Sequence, residues 1–340
     1  MKIAVDCRYL GKSGIGRVCR GIIDNLDYSA HEYYLVGDKE KLSGYSATII
    51  EDYTEPYSKS GLFGFNKRVN ELCDVLITPN FLIPFGVKIP VHAVMHDLIF
   101  LDMKITTKNV VDRFIKKFLL KRCIKKAKTV ACVSEFTKSR ARHFYKKLAD
   151  KCYVTYNGLS DDMLLAPFKA EEKVKGKLIY VGNIKVHKGL KTLLEAKKLL
   201  PSDYKLRVLG EKDAFLMKMK EGELDFSDVE FSGRVDDETL RKEIASSEFL
   251  IQPSLYEGFG LPPLEALYLG TKPIVSDIDV FKEVYEGFDV DYFKVCDANS
   301  LASAILNANP DVENQREKIT AKYNYKLFAE KLIKTVEEKA

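Results

Sequence analysis

Two glutamates lie on either side of a glycine-rich turn, and their spacing is the feature of this chain that most suggests a binding or catalytic site. Glu257 and Glu265 have seven residues between them, two of which are glycines and two prolines. A short apolar run before the turn predicts a buried strand, and the residues from Leu264 to Leu269 predict a helix. Because the first amides of a helix lack intrahelical partners, such a turn can bind an anion.

The two carboxylates suggest what else the ligand carries. A carboxylate repels phosphate, but it accepts hydrogen bonds from sugar hydroxyls. We expect Glu257 in the turn and Glu265 in the first helical turn, facing one pocket. A ligand with a phosphate centre and a hydroxyl-rich group at each end, such as a nucleotide sugar, fits this layout. The alternative is a structural turn whose helix carries a glutamate favoured by the helix dipole.

A second glycine turn, with the sequence GNIKVHKG at 182–189, has the same construction. It follows an apolar run from Lys177 to Val181 and precedes a predicted helix from Leu190 to Leu200. Lys188 comes just before that helix. A compact ammonium group beside a helix N-terminus suits a diphosphate.

The first half of the chain offers two further candidate segments. A strand at 2–7 is followed by the glycine-rich loop LGKSGIGR at 10–17 and a predicted helix from Val18 to Leu26, as in a doubly wound sheet that binds ligands at the carboxyl ends of its strands. A second strand, at 91–97, ends in His96 and Asp97. His96 is placed for chemistry, and Asp97 either orients it or caps the next segment.

The stretch SLYEGFGLPPLEAL at 254–267, followed by PIVSD at 273–277, resembles the signature of family 4 glycosyltransferases, which are retaining enzymes with the two-domain GT-B fold. The resemblance implies that Glu257 contacts the donor sugar and that Glu265 binds ribose hydroxyls. It also implies that the turn itself contacts the sugar and the diphosphate, through Gly258, Phe259, Gly260 and Leu261.

Other positions carry the same resemblance. Lys188 matches a family lysine that neutralises the leaving nucleotide, whereas Asn183 stands where the family has an arginine. Two alternatives follow. Either Lys185 or Arg17 supplies the positive charge that this arginine would have, or the phosphates are bound by Lys188 and backbone amides alone. The resemblance also assigns His96 a place near the reacting sugar. The remaining donor-site residues that it implies are Gly14 and Gly16, which face the diphosphate, and Arg234 and Val235, beside the base.

The fold class that follows is α/β, of the GT-B type, with two Rossmann-like doubly wound domains facing a cleft. We expect an acceptor-side domain at 1–160 and a donor-binding domain at 161–320, with a helix at 321–340 that crosses back to the first domain. The strands predicted in the second half are 177–181, 206–209, 229–231, 249–252 and 273–275.

Composition excludes several classes of protein. The 340 residues contain no run of about 20 apolar residues of the kind that spans a membrane. Seven scattered cysteines without a C-x-x-C pair favour a reduced, cytoplasmic protein. No metal or other cofactor is expected, and the D-x-D triplets at 277–279 and 289–291 are interpreted as surface acids. No motif indicates nucleic-acid binding.

Positive charge is concentrated between Leu101 and Lys151, where 16 Lys and Arg face 4 Asp and Glu, a local charge of +12. This segment predicts a helix from Val110 to Lys126. Its lysines are either a solvated face or a surface for anionic membrane lipid or a diphosphate-lipid acceptor. The inward face predicted for this helix comprises Val110, Val111, Phe114, Ile115, Phe118, Leu119 and Cys123.

The predicted function is retaining, metal-independent transfer of a hexose such as mannose, glucose, galactose or rhamnose from a nucleoside diphosphate. The expected acceptor is a saccharide hydroxyl, for example on a lipid-linked polysaccharide or on an O-antigen or capsule precursor, at the inner face of the membrane. The alternatives are a sugar-nucleotide epimerase and a non-catalytic protein that binds nucleotide sugar. A glycoside hydrolase also uses two carboxylates, but it has no use for Lys188.

Overall fold

The computed structural model describes residues 1–107, 109–165, 171–183, 185–210, 226 and 229–339. Its contacts divide the chain into two units, Met1–Asp161 with Lys322–Ala340 and Asp162–Ala321. Ile184, which is part of the GNIKVHKG turn used in the sequence interpretation, lies outside the described residues. Within the described ranges, no helix is both long and apolar enough to cross a bilayer.

The first unit is built on a parallel sheet that has seven strands in the described residues, in the order β3-β2-β1-β4-β5-β6-β7. Apolar and β-branched side chains fill its central strands, which are buried along almost their whole length because helices cover both faces. The strands are β1 Lys2–Asp6, β2 Glu32–Gly37, β3 Thr48–Glu51, β4 Val75–Thr78, β5 Val91–Met95, β6 Ala127–Cys132 and β7 Cys152–Val154.

Helices of the first unit connect these strands, and side-chain caps begin several of them. Asn109 accepts a hydrogen bond from the amide of Asp112, and Ser134 accepts one from the amide of Thr137. The helices in chain order are α1 Ser13–Asp24, α2 Lys39–Leu42, α3 Lys59–Phe63, α4 Val69–Leu72, α5 Ile99–Asp102, α6 Val110–Lys126, α7 Glu135–Phe144 and α8 Lys146–Ala149. Helix α9 Asp161–Leu165 follows, and all but its first residue belong to the second unit.

The second unit contains a six-stranded parallel sheet within its described residues, in the order β10-β9-β8-β11-β12-β13. Its strands are β8 Val174–Val181, β9 Lys205–Leu209, β10 Val229–Phe231, β11 Ser247–Gln252, β12 Lys272–Ser276 and β13 Asp291–Phe293. Its helices are α10 Leu190–Lys197, α11 Asp237–Ala245, α12 Leu261–Tyr268, α13 Asp279–Val284, α14 Ala298–Asn307 and α15 Arg316–Lys322. Two parallel sheets flanked by helices confirm the predicted α/β fold class.

The last helix, α16 Tyr325–Lys339, packs on α1 and β6 of the first unit. Tyr325 is fully buried there. A Cβ at Gly21 of α1 would lie 2.2 Å from the Tyr325 ring, so the glycine is what allows the ring to pack against the helix. The amide of Leu159 donates to the carbonyl of Tyr323 at 3.0 Å, which fixes the chain just before α16.

One sequence interpretation in the first unit is wrong. The apolar face predicted for α6 is mostly exposed, because only Leu119, Leu120 and Cys123 are buried on this helix. The polar stretch 51–65 contains α3 and is tied to the core by Arg8. The guanidinium of Arg8 donates to Thr54 Oγ1 at 2.8 Å and to the Gly61 carbonyl at 2.9 Å, and it is paired with Asp6.

The buried His92 gives the stability of the first unit a pH dependence. Its Nδ1 lies 2.8 Å from Thr129 Oγ1, and burial, with the charge of Lys128, lowers its pKa to about 4. The neutral ring therefore stabilises the fold fully above pH 6.5, and this contribution is lost as the pH falls toward 4.

We expect the free energy of unfolding to fall by about 2 kcal/mol between pH 7.5 and pH 5 through this residue. Because the chain has no tryptophan, unfolding in urea is followed by circular dichroism. His92→Gln should flatten this pH dependence, whereas His143→Gln, at an exposed position of the same unit, should leave it unchanged. Equal slopes for His92→Gln and the wild type would contradict the assignment.

Candidate functional site

The glycine-rich turn between β11 and α12 is shaped by backbone conformations that only glycine adopts easily. Gly260 begins α12 with a φ of 90°. A Cβ at this position would lie 2.5 Å from Cε1 of Phe281, and the Gly260 carbonyl accepts a hydrogen bond from the Tyr285 hydroxyl. Pro262 follows in the first helical turn, where an amide N–H has no intrahelical partner. The turn therefore leads directly into a helix N-terminus.

The structure brings Lys188 and Glu257 into direct contact. Lys188 Nζ lies 2.5 Å from Glu257 Oε1, and their side chains are 21% and 10% exposed. The two residues come from different loops, 69 positions apart in sequence. A cation and a carboxylate, both predicted to contact the donor, thus meet at the carboxyl ends of neighbouring strands β8 and β11.

Two buried residues that the sequence interpretation missed hold Glu257 in place. Ser254 Oγ donates to Glu257 Oε1 at 2.7 Å, and Gln252 Nε2 approaches the same oxygen at 3.4 Å. Gln252 also donates to Ser254 Oγ at 2.9 Å. All these donors, like Lys188, use Oε1, and within the described part of the chain none donates to Oε2. The sequence could have indicated these two residues, because a glutamine ends a buried strand and a serine follows it shortly before a loop glutamate.

The phenol of Tyr180, near the end of β8, is another buried neighbour of this carboxylate. Burial and then the negative charge of Glu257 raise the pKa of Tyr180. Its hydroxyl is buried, and no hydrogen-bond partner for it lies within the described ranges. Tyr180 is therefore a neutral donor beside Glu257, and it too was not predicted.

The loops that carry Lys188 and Glu257 are pressed together at Gly189. This residue has a φ of +68°, and a Cβ there would lie 1.8 Å from the Pro253 carbonyl oxygen. Beside it, the amide of Leu255 donates to the His187 carbonyl at 2.8 Å. The close approach of the two backbones explains how Lys188 reaches Glu257.

Glu265 lies one turn inside α12 rather than in its first turn. Helix α12 begins at Leu261, three residues before the predicted start, because Gly260 and Pro262 form its beginning. The side chain is buried, with 5% of the residue exposed. Phe259 is also buried, and Gly258 and Leu261 are partly exposed.

The other residues predicted for the donor site in the second unit lie on its surface. Asn183 and Lys185 are exposed in the loop after β8, and Arg234 is exposed after β10, next to the partly buried Val235. Gly182, which begins the loop, has a φ of 147°.

In the first unit, the predicted glycine loop is shorter than expected. Helix α1 begins at Ser13, so Gly14, Gly16 and Arg17 lie in its first turns rather than in a loop. The amide of Gly16 donates to the Lys12 carbonyl at 3.0 Å, and a Cβ on Gly16 would lie 2.5 Å from the Tyr9 carbonyl oxygen. Gly16 thus allows the helix to start close to the turn that follows β1. Arg17 is exposed.

His96 directly follows β5, as predicted. Its Nε2 lies 2.7 Å from the Pro79 carbonyl. Burial lowers the pKa of His96, against the opposing effects of the Pro79 hydrogen bond and of Asp97. Since a carbonyl only accepts, Nε2 carries the proton and Nδ1 of the neutral ring is an acceptor. Asp97 caps the next segment by accepting from the Ile99 amide at 3.1 Å.

The D-x-D triplets make contacts within the protein. Lys272, which is buried, forms ion pairs with Asp289 and Asp291. Asp277 accepts a hydrogen bond from the Val295 amide at 2.9 Å. In the described portion of the chain, no group of three His, Cys, Asp or Glu is arranged to hold a metal ion.

Comparisons of the sequence with known proteins match its second half to a family. The family model described as glycosyl transferases group 1 matches residues 166–333. The O-antigen chain mannosyltransferase RfbU of Salmonella typhimurium is 30% identical over 63% of this chain and 62% of its own length. The O-antigen chain mannosyltransferase B of Escherichia coli is 28% identical over 61% of this chain and 58% of its own. The aligned regions thus span about 60% of the length of these curated relatives.

Solved structures match the fold over the whole chain. A sucrose-phosphate synthase from Thermosynechococcus elongatus has a TM-score of 0.74 at 18% identity, covering 99% of this chain and 98% of that one. The Anabaena protein HepE in complex with UDP-glucose has a TM-score of 0.73 at 14% identity, with coverage of 99% and 100%. These likenesses show the GT-B fold. With the sequence match, residues 166–333 belong to the glycosyl transferases group 1 family.

Proposed function

We propose that this protein is a retaining glycosyltransferase that moves a hexose from a nucleoside diphosphate to a saccharide hydroxyl. The second unit binds the donor, and the first unit carries the acceptor-side residues. The observation that carries the proposal is the contact between Lys188 and Glu257 beside the N-terminus of α12. This arrangement offers a cation for phosphate and a carboxylate for sugar hydroxyls within one small region.

Glu257 is prepared to accept a hydrogen bond from a sugar hydroxyl. Lys188, Ser254 and Gln252 all approach Oε1 and fix the side chain. Oε2, which has no donor among the described residues, is the oxygen that a hydroxyl of the donor sugar would use. Glu265, buried on α12, would accept from the ribose.

Lys188 would stabilise the departing diphosphate. In the free protein its ammonium group is held by Glu257, and the phosphates of a bound donor compete for it. Together with the amides of Phe259, Gly260 and Leu261, it supplies positive charge where the leaving group becomes negative. We propose that this charge serves in place of a divalent cation. Lys185 or Arg17 would add charge that Asn183 lacks.

Transfer with retention requires the new bond to form on the face from which the diphosphate leaves. The bond between the anomeric carbon and the phosphate oxygen breaks, and the acceptor oxygen attacks on the same side. Its proton passes to the leaving phosphate oxygen. His96, neutral with Nδ1 as an acceptor, would orient a hydroxyl of the reacting sugar.

We further propose that the acceptor is a lipid-linked saccharide, such as a polysaccharide or O-antigen precursor, and that the protein works in the cytoplasm at the inner face of the membrane. The names of the O-antigen mannosyltransferases support this acceptor class and favour mannose among the hexoses. The seven cysteines, all within the described residues, form no disulfide, and five are buried, which suits a reducing compartment.

Product analysis tests the reaction. The protein is incubated with a nucleoside diphosphate hexose and a saccharide acceptor, with and without EDTA, and the new linkage is read by proton NMR. We expect the anomeric configuration of the donor in the product, at a rate that EDTA leaves unchanged. An inverted linkage would refute retention, and a loss of transfer in EDTA would refute metal independence. Free sugar alone would indicate hydrolysis, and a new sugar nucleotide formed without acceptor would indicate epimerisation.

A further inference from the structure

Helix α6 presents an apolar face to solvent. Five of the sixteen large hydrophobic side chains that are exposed in the described residues lie on this one helix. They recur at the spacing of a single helical face. The exposed fractions are 85% for Val110, 65% for Val111, 71% for Phe114, 47% for Ile115 and 51% for Phe118.

An aromatic stack extends this face onto α3. Phe63, which is 60% exposed, stacks on Phe85 with ring centroids 4.4 Å apart and planes 9° apart. Phe85 in turn lies 6.4 Å from Phe118, at an interplanar angle of 15°. We call the exposed residues Val110, Val111, Phe114, Ile115, Phe118 and Phe63 the apolar ridge. The stack makes the ridge one continuous surface on two elements.

Cations border the apolar ridge. Lys121 and Lys125 are exposed and continue the same helical face in its second half, and Lys116 and Lys117 flank it. Arg122 lies over the Phe85 ring at 4.2 Å. The one acidic residue of α6, Asp112, is paired with Lys116 at 2.9 Å. The surroundings of the ridge are therefore strongly positive.

A lipid surface fits this combination better than a protein partner does. Contiguous apolar surface of this kind marks an interaction site. Protein interfaces are depleted in lysine, whereas helices that lie in a bilayer interface combine phenylalanine and aliphatic residues on one face with lysines beside it. Each lysine near an anionic leaflet adds attraction. The charge of the surface thus favours anionic lipid as the occupant.

We propose that the apolar ridge inserts into the acyl boundary of an anionic membrane while Lys121 and Lys125 contact lipid headgroups. The inference deepens the proposed membrane association and names the surface and the contact. It differs from attraction by charge alone because inserted phenylalanines should hold the protein on the membrane at salt concentrations that screen the lysines.

Sedimentation with vesicles tests the proposal without any nucleotide sugar. Wild-type protein should bind vesicles of phosphatidylcholine with phosphatidylglycerol and bind pure phosphatidylcholine weakly. Replacing both Phe114→Glu and Phe118→Glu should weaken binding by about 100-fold or more, since each buried phenylalanine contributes roughly a factor of ten. Replacing both Lys121→Glu and Lys125→Glu should weaken it and reduce its salt dependence. The matched control is Leu306→Glu, at a position 50% exposed in the second unit.

The outcomes are distinguishable. Wild-type protein that fails to bind anionic vesicles, or a double phenylalanine variant that binds as the wild type does, would overturn the proposal. A third outcome would also overturn it. If the wild type does not bind vesicles but forms a dimer in light scattering, and the phenylalanine variant does not form this dimer, the ridge is a protein interface. Urea unfolding of the variant followed by circular dichroism shows whether it is folded, and it leaves the donor proposal to be judged separately.

Discussion

Replacing Lys188 with alanine is expected to lower the rate of sugar transfer by about 10²- to 10³-fold, the usual cost of removing one group that stabilises a leaving charge. Lys188 is the cation that lies in contact with Glu257, at 2.5 Å. Its loss leaves the diphosphate with the helix N-terminus, the backbone amides and the added charge proposed for Lys185 or Arg17. The measurement is kcat and kcat/KM with a saturating acceptor.

Lys191→Ala is the matched control. Lys191 lies three residues further along, is 59% exposed and pairs with Glu195 on the surface of α10. Its replacement should change the rate less than twofold. Equal rates for Lys188→Ala and the wild type would remove Lys188 from the mechanism.

Glu257→Gln in combination with Lys188→Ala tests whether the two residues act together. Because the two side chains share one contact, the effects of the single changes should not add in the double variant. Full additivity would mean that the contact in the free protein has no part in catalysis.

Replacing Gly189 with alanine is expected to destabilise the second unit by about 2–4 kcal/mol and to abolish donor binding. A Cβ at this residue would lie 1.8 Å from the Pro253 carbonyl oxygen, so the two loops that carry Lys188 and Glu257 must separate. The positive φ of +68° adds the ordinary strain of a non-glycine residue there. Urea unfolding, monitored by circular dichroism, measures the loss of stability. Calorimetric titration with nucleotide measures the loss of donor binding.

Gly270→Ala is the control that separates the backbone strain of a positive φ from the steric clash of the added Cβ. Gly270 has a similar φ of +74°, but a Cβ there would meet no atom within 4 Å. This variant should lose only about 1–2 kcal/mol, the cost of the backbone conformation, and should bind nucleotide normally. If both variants lost the same stability and retained binding, the packing of the two loops would not matter for the site.

The fold was largely predictable from local patterns. Buried parallel strands appear as short apolar runs, so the five strands predicted in the second half are all present, with β11 at Ser247–Gln252 and β12 at Lys272–Ser276. The bounds of α6 were also predicted, since Asn109 begins this helix and the apolar periodicity continues to its end. The GT-B fold class came from the resemblance carried by the Glu257 to Glu265 segment, and it is confirmed.

What a helix face packs against was not predictable from its pattern. The periodicity of α6 indicated an apolar face, and the prediction assumed that this face is buried. Instead Phe114 is 71% exposed, and Leu120 contributes to the buried side. Periodicity identifies the apolar side of a helix, whereas tertiary packing decides whether that side is covered.

The partners within the candidate site were only partly predictable. The glycine turns and Lys188 were identified separately, but the contact between Lys188 and Glu257 depends on the strand order of the sheet and on the close approach of the loops at Gly189. Ser254 and Gln252 were missed because a serine and a glutamine at the end of a strand are common in structural roles. The early start of α1 was missed because glycines weaken a helix prediction.

The central claim is that the second unit binds a nucleoside diphosphate sugar, and calorimetric titration with UDP, GDP and dTDP tests it most directly. We expect clear binding of one nucleotide by the wild type. Glu265→Ala should weaken that binding by about 10- to 100-fold, because a hydrogen bond from the ribose to a buried carboxylate is lost. Binding of none of the three nucleotides, or equal affinity in the wild type and the variant, would contradict the account.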